Sequence, residues 1–347
     1  MSATMKAVRL PGGGVVEVIE RPIPRPAAGE VLVKVRASAI CASDLSLLAG
    51  DALVGDASNV PGAITPGHEP AGEVVGLGPG VDRVAVGDRV VVHLSIGCMR
   101  CAYCRSGYIQ QCPEWKCVGF DVDGGDAEYI VAPQEACLPL PDDLSYTSGA
   151  LLVDNFGTQF HTQQRLGISG ADVVGIIGIG PMGAAAVATA KGRGATVIAL
   201  DMFAHRLDLA TELGADLTVD VSDGGALEAI MSATGGHGLE VAIDCSGNAA
   251  GENLALDSAK KLGRVAFVGE CSNVTINPSE QMIRKELEVI GAWVFPVQDY
   301  FAMTRFLLRK NIVPESTVSH RMSIDEAPEA FDSVANRRAD KVVFTFD

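Results

Sequence analysis

The stretch "VVGIIGIGPMGAAAV", residues 173–187, decides how the chain folds. An apolar run reaches Ile177, glycine then recurs at 178, 180 and 183, and an alanine-rich segment follows. The first part reads as a buried strand and the last as a helix. With 39 glycines in the chain, G-x-G-x-x-G alone would be weak. Its place between strand and helix gives it meaning. Gly178 permits a tight turn, Gly180 lets backbone approach a pyrophosphate, and Gly183 lets helix pack on strand. Pro181 and Met182 complete the turn, and the helix start offers free N–H groups to phosphates. The next strand-like run, "TVIALD" (196–201), ends in Asp201 at about the 20-residue spacing of an acid that binds a ribose diol. A carboxylate there repels a 2′-phosphate, so NAD is expected over NADP. Arg206 lies close enough to leave room for NADP, and the bland reading of Asp201 is a surface acid at a strand end.

Outward from this stretch the pattern repeats. Helical "AHRLDLATELGA" (204–215) and "ALEAIMSAT" (226–234) precede strand-like "EVAIDCSG" (240–247). "ENLALDSAKKLG" (252–263) and "RVAFVGE" (264–270) continue the series. Strands alternating with helices mean βαβ units and a parallel sheet. The first 150 residues differ. "EVLVKVRAS" (30–38) alternates valine with Lys34 and Arg36, and "AGEVVGLGPGVDRVAVGDRVVV" (71–92) strings valine runs between glycines. That is the texture of a small barrel or sandwich. The closing "KVVFTF" (341–346) is strand-like and suits a tail that rejoins the first domain's sheet.

At 347 residues two domains are expected. The charge of −16 argues against a grip on nucleic-acid phosphates. No segment reads as a membrane span, and "MSATMKAVRL" lacks a secretory apolar region, so a cytoplasmic location is expected.

Four of the nine cysteines crowd into "GCMRCAYCRSGYIQQC" (97–112), as C-x2-C-x2-C-x7-C at Cys98, Cys101, Cys104 and Cys112. Four thiolates close a tetrahedral shell and leave no open position, which describes a structural zinc. An iron–sulfur cluster is the rival, but ferredoxin-type runs place the fourth cysteine three residues on, not seven. Elsewhere stand Cys41 in "ICASD" (40–44), His68 and Glu69 in "GHE" (67–69), and Asp154 in "DNFGTQFHT" (154–162). Cysteine, histidine and carboxylate can hold zinc with a coordination position to spare. Singly they could equally be a core cysteine, a turn histidine and a helix cap, and spacing leaves both readings open.

"GHEPAGEVVGLGPGV", "GDRVVV", the cysteine lobe and G-x-G-x-x-G, in this order, resemble the zinc-dependent medium-chain alcohol, polyol and threonine dehydrogenases over nearly the whole chain. The resemblance implies an α/β fold. A GroES-like β-rich catalytic domain would span 1–153 with a zinc lobe near 97–113. A Rossmann doubly wound coenzyme domain would span 154–295, and residues 296–347 would return to the catalytic domain. It implies two zincs per chain. Cys41, His68 and Asp154 would bind the catalytic ion, with Glu69 as fourth or alternating ligand. Ser43 would take the alcohol's proton and Asp44 would orient His68. Thr158, Val268, Gly269 and Ala292 to Val294, Trp293 included, would face the nicotinamide.

Many relatives carry a histidine two residues beyond that aspartate to pass the proton outward, whereas Ser46 stands here. A serine cannot itself serve as base near neutral pH. Ser46, Leu94, Trp115 and Trp293 correspond to pocket positions that suit secondary alcohols, polyols or amino alcohols, or their ketones. Homodimers or homotetramers are the family's assemblies. Three rivals are a zinc-independent reductase of the same superfamily, a non-enzymatic zinc- and nucleotide-binding protein, and a thiol protease on Cys41 and His68. The last leaves the nucleotide fold and the lobe unexplained.

Overall fold

Alternation in the first part of the chain becomes strands, because a half-buried sheet needs apolar residues at every second position. The computed structural model describes residues 3–50 and 62–346. Its early strands are β1 (Thr4–Gly12), β2 (Val15–Pro22), β3 (Glu30–Ala39), β4 (Pro70–Leu77) and β5 (Arg89–Val92). They are followed by β6 (Ser95–Ile96), β7 (Lys116–Cys117), β8 (Tyr129–Pro133) and β9 (Cys137–Pro139). In β3, Val31, Val33 and Val35 are fully buried while Lys34 and Arg36 reach outward. The parallel set comprises β10 (Val173–Ile177), β11 (Thr196–Asp201), β12 (Leu217–Asp220), β13 (Leu239–Asp244), β14 (Ala259–Phe267) and β15 (Glu288–Gly291). Two late strands, β16 (His320–Met322) and β17 (Val342–Thr345), close the chain.

Contacts divide the protein into two units. Unit 1 comprises Met1–Asp154, Phe295–Thr304 and Val313–Asp347. Its main sheet has the order β16-β17-β3-β4-β5-β9, with β8 also pairing β3. In this sheet β17 lies antiparallel to β3, with Val343 opposite Ala39. β6 and β7 pair on their own beside the cysteine lobe.

Unit 2, Asn155–Val294 with Arg305–Ile312, carries the parallel sheet β12-β11-β10-β13-β14-β15. This is the doubly wound Rossmann arrangement. Val174 and Ile176 face one layer with Ala186, Val187 and Ala190, while Ile177 faces the other with Leu200, Ala255 and Leu256. Each buried valine, leucine or isoleucine side chain here contributes about 2 kcal/mol, and each alanine less than half of that. The stretch 305–312 joins this unit because Phe306 packs on Phe160 at 5.5 Å and Ile312 lies over Gly192.

Two details depart from pattern reading. The segment "ENLALDSAKKLG" is not one helical stretch, since the helix Ala249–Ser258 gives way to β14 at Ala259. Register slips between Leu239 and Val241, and Leu262 takes φ 61°, so the extra residues form a bulge. β12 carries only a short half-exposed apolar pattern, too weak to announce a strand.

Candidate active site

The sheet of unit 1 brings the ends of two strands together. β3 stops at Ala39 and hands the chain to Ile40 and Cys41, while β4 starts at Pro70, directly after His68 and Glu69. Ser38 lies opposite Pro70, and the Ala39 amide donates to the Glu69 carbonyl at 3.3 Å. Asp154 arrives from a π-helical turn, Leu152–Phe156, which follows the helix Tyr146–Leu151. Turns of this kind often accompany functional sites. It is therefore not a helix cap.

Ligand atoms of Cys41, His68, Glu69 and Asp154 all lie within 4.8 Å of one another. Cys41 Sγ is 3.5 Å from Asp154 Oδ2, and His68 Nε2 is 3.9 Å from both Glu69 Oε1 and Asp154 Oδ2. Asp44 ties the set together. Its Oδ2 accepts the Cys41 amide at 2.9 Å, and its Oδ1 lies 3.2 Å from His68 Nδ1. An ionised carboxylate only accepts, so Nδ1 carries a hydrogen, and Nε2 is the ring nitrogen that faces Glu69 and Asp154.

The electrostatics are those of a buried anionic site. Burial alone would lower the His68 pKa, but Asp44, with hydrogen bonds to Asp154 and Asp44, carries it well above the ordinary value. Burial would raise that of Asp154, yet its hydrogen bond to His68 and the histidine's charge hold it down. Burial pushes Glu69 up, opposed by the Lys341 ammonium 2.6 Å away. Lys341 is itself wholly buried and held protonated against desolvation by the charges of Glu69, Cys41 and Asp154. Glu69 Oε2 is buried without a hydrogen-bond partner among the described residues. Soft thiolate, imidazole and carboxylate around one point, with a carboxylate oxygen left unsatisfied, is a donor set that fits zinc.

In the lobe the four thiols of Cys98, Cys101, Cys104 and Cys112 also lie within 4.8 Å of one another. Amides turn toward the sulfurs: Cys98 to Cys112 at 3.3 Å, Cys101 to Cys98 at 3.4 Å and Cys104 to Cys101 at 3.4 Å. Amides of Arg100 and Cys101 draw the Cys98 thiol down to about 7, whereas burial, followed by the neighbouring thiols, pushes Cys104 up to about 12. Four sulfurs with converging N–H donors fit a closed zinc shell.

Unit 2 assembles its own candidate site at the carboxyl ends of its strands. Gly178 has φ 86°, and a Cβ there would strike Ser246; one on Gly183 would run into the Gly178 carbonyl. Over Gly180 a Cβ would meet only Arg206 Nη1, at 4.0 Å, so the backbone there is open to approach. Pro181 opens the helix Pro181–Gly192, and Met182 follows it. Asp201 is buried and not a surface acid. It accepts the amides of Ile179 at 2.6 Å, Met202 at 2.7 Å and Phe203 at 3.0 Å. Arg206 lies 3.6 Å from its Oδ2 and stacks on Phe203. Thr158 is buried, with an Oγ1 that finds no hydrogen-bond partner among the described residues. The amides of Val268 and Gly269 donate to the Asp244 carbonyl, that of Ala292 to Phe267, and Trp293 stays exposed.

Residues 27–142 match the family described as "Alcohol dehydrogenase GroES-like domain", and 181–309 match "Zinc-binding dehydrogenase". The zinc-type alcohol dehydrogenase-like protein YphC of Escherichia coli (strain K12) is 37% identical over 99% of both chains. A sorbitol dehydrogenase of Halalkalibacterium halodurans is 32% identical over 96% of both. A zinc-binding dehydrogenase of Sinorhizobium meliloti 1021, solved with NADP, superposes with a TM-score of 0.89 at 32% identity, covering 99% of this chain and 100% of its own. The chain belongs to the zinc-dependent medium-chain dehydrogenase family. As a member it is an NAD(P)-dependent alcohol dehydrogenase with a GroES-like and a Rossmann domain.

In this dehydrogenase Ser43 precedes the helix Asp44–Ala49 and is half-buried; its carbonyl accepts the Ser46 hydroxyl at 2.7 Å. The Ser46 hydrogen is thus committed to backbone. Leu94 is buried and Trp115 half-buried in unit 1, and Trp293 belongs to unit 2. Sequence reading missed Lys341, whose only signal was a cation heading an apolar strand. It also missed Asp126, fully buried and accepting the Ser38 hydroxyl at 2.6 Å. No helix among the described residues is long and apolar enough to cross a membrane.

Proposed function

We propose that this dehydrogenase interconverts a secondary alcohol, polyol or amino alcohol with its ketone, using NAD and two zincs per chain. When bound, zinc supplies Lewis acidity to the substrate oxygen, and the nicotinamide supplies the hydride acceptor. Cys41, His68 and Asp154 would hold the catalytic ion, with Glu69 as fourth or alternating ligand, and Cys98, Cys101, Cys104 and Cys112 would hold the structural one. Asp44 fixes the tautomer of His68. Ser43 Oγ receives the alcohol's proton as it passes its own hydroxyl hydrogen to water; with the Ser46 hydroxyl bonded to backbone, water carries the proton onward. Gly178, Gly180 and Gly183 accommodate the pyrophosphate, and Thr158, Val268, Gly269 and Trp293 face the nicotinamide.

The observation that carries this reading is the convergence of Cys41, His68, Glu69 and Asp154 donors on one point, braced by Asp44. Preference for NAD is supported by the buried Asp201 carboxylate, which would repel a 2′-phosphate. We assign the protein to the cytoplasm, as a homodimer or homotetramer. The test combines a metal count with rates on a panel of secondary alcohols and polyols, using each coenzyme. Two zincs per chain and at least a tenfold higher kcat/KM with NAD are expected. A single zinc, or inertness toward the whole panel, would overturn the proposal.

A further inference from the structure

Three segments of unit 2 proposed to hold the coenzyme all touch one short turn, Cys245–Gly247. On the side of the glycine turn, a Cβ on Gly178 would strike the backbone of Ser246. On the side of the helix Gly157–Arg165, which carries Thr158, Gln159 Nε2 donates to the Cys245 sulfur at 3.3 Å. On the side of Val268, a Cβ on Gly269 would overlap the Gly247 amide. Contacts this close transmit any shift of the turn to all three segments.

The residue before the turn fixes it. Asp244 ends β13, in the middle of the parallel sheet, and is fully buried. Its Oδ1 accepts the Ser246 hydroxyl at 2.6 Å and the Ser246 amide at 3.2 Å, and its Oδ2 accepts the Gly247 amide at 3.3 Å. Its carbonyl accepts the amides of Val268 at 3.0 Å and Gly269 at 3.1 Å. Over the carboxylate lies the helix Ala249–Ser258, where a Cβ on Gly251 would meet Ser246 Oγ and Asp244 Oδ1. Only an ionised carboxylate accepts at both oxygens; an asparagine amide would set N–H against the Gly247 N–H.

The charge stands in unfavourable surroundings. Burial raises the Asp244 carboxyl to about 6 against the hydrogen bonds from Ser246 and Gly247, and the charge of Glu252 adds to the rise. Glu252 is buried too, and its Oε2 meets no hydrogen-bond partner among the described residues. Cys245 beside it is a thiol that burial and Asp244 keep protonated. β10 carries no ionisable residue. On β14, Lys260 and Arg264 are bonded to Glu240 and Asp172, and Lys261 is exposed.

We infer that the Asp244 carboxylate is the positioning group of the coenzyme site, and that its protonation loosens the Cys245–Gly247 turn and weakens coenzyme binding. This rests on the reading that Gly178, Thr158, Val268 and Gly269 bind the coenzyme. The coenzyme then selects the ionised form, so affinity is full above about pH 7 and falls as the pH drops through the Asp244 value.

The test measures NAD binding to the full-length protein by calorimetry between about pH 5 and about pH 8. For the wild type, Kd should rise about tenfold from the neutral to the acid end. Asp244→Asn should bind at least about tenfold more weakly at neutral pH and show no acid limb, while kcat at saturating NAD falls less than about threefold. Ser246→Ala keeps the carboxylate but removes a donor that favours its charge, so its acid limb should move up by about one pH unit. That milder variant decides the matter if Asp244→Asn does not fold. Wild-type affinity in Asp244→Asn, an acid limb that persists in it, or an unmoved limb in Ser246→Ala would each overturn the inference. A wild-type protein that binds no NAD at any pH would remove the coenzyme reading together with it.

Discussion

The protein holds two four-donor clusters of similar dimensions, and they are built by opposite means. The lobe draws Cys98, Cys101, Cys104 and Cys112 from one local stretch, ordered by its own turns and by backbone amides aimed at sulfur. The other cluster takes Cys41, His68, Glu69 and Asp154 from three places, and only the pairing of β3 with β4 and a π-helical turn bring them together. A local cluster organises itself around a metal. A dispersed one inherits its geometry from the sheet, so its donors can be mixed in kind and a position left open. The first arrangement suits structure and the second suits chemistry.

Breaking the dispersed cluster should have the largest effect. Cys41→Ala or His68→Ala is expected to lower kcat/KM by at least about 10³-fold, worth about 4 kcal/mol. The metal count should fall from two to one while coenzyme binding, followed by calorimetry, is retained. Near-normal turnover would dissolve the contrast between the clusters. In the lobe, Cys104→Ser should cost on the order of 4 kcal/mol, or roughly 10 °C in Tm, because on the proposed function zinc binding there is folding energy. Its kcat at a temperature where it stays folded should drop less than tenfold. A larger drop would mean that the lobe reaches into the chemistry.

The dispersed cluster's dependence on backbone can be probed without touching a ligand. Gly67, directly before His68, has φ 95°, and a Cβ there would overlap the Asp126 carboxylate. Gly67→Ala should destabilise unit 1 by about 3 kcal/mol in urea unfolding. An unaffected midpoint would show that the approach to His68 is looser than the contacts imply.

The smallest effect concerns pH. His93 Nε2 donates to the Phe295 carbonyl at 3.3 Å, and Nδ1 accepts the Ser95 amide at 3.2 Å, so the ring is buried neutral. Burial lowers its pKa to about 4. Because the folded value lies below the unfolded one, stability is complete above about pH 6.5 and is lost as pH falls toward 4. The loss totals about 3 kcal/mol at most. His93→Gln should flatten that acid limb; an identical slope would put the proton elsewhere. The same segment meets the lobe, since Val297 N donates to the Gly107 carbonyl at 3.1 Å. The lobe is thus not wholly self-contained.

Legibility in the sequence followed the same division. The cysteine spacing, the glycine turn, Asp201 and the parallel-sheet pattern are local, and the residues alone convey them. Cys41, His68 and Asp154 were individually ambiguous, and only resemblance to a family grouped them before the fold did. Lys341 and Asp126 were invisible: their partners lie 272 and 88 positions away, and no local pattern marks a charge destined for burial. The bulge at Leu262 was hidden for another reason. A leucine with positive φ imitates helical sequence, and only strand pairing reveals the slip.

The discontinuity of unit 1 has a consequence for biosynthesis. The edge of β3 next to Cys41 stays uncovered until β17 has been made, and Lys341 emerges with it. At about 5–20 residues per second, translation separates Cys112 from Lys341 by roughly 10–50 s. The lobe's four cysteines are all made while the ribosome is still working. The Cys41 cluster reaches its final charge balance only when the last strand is released.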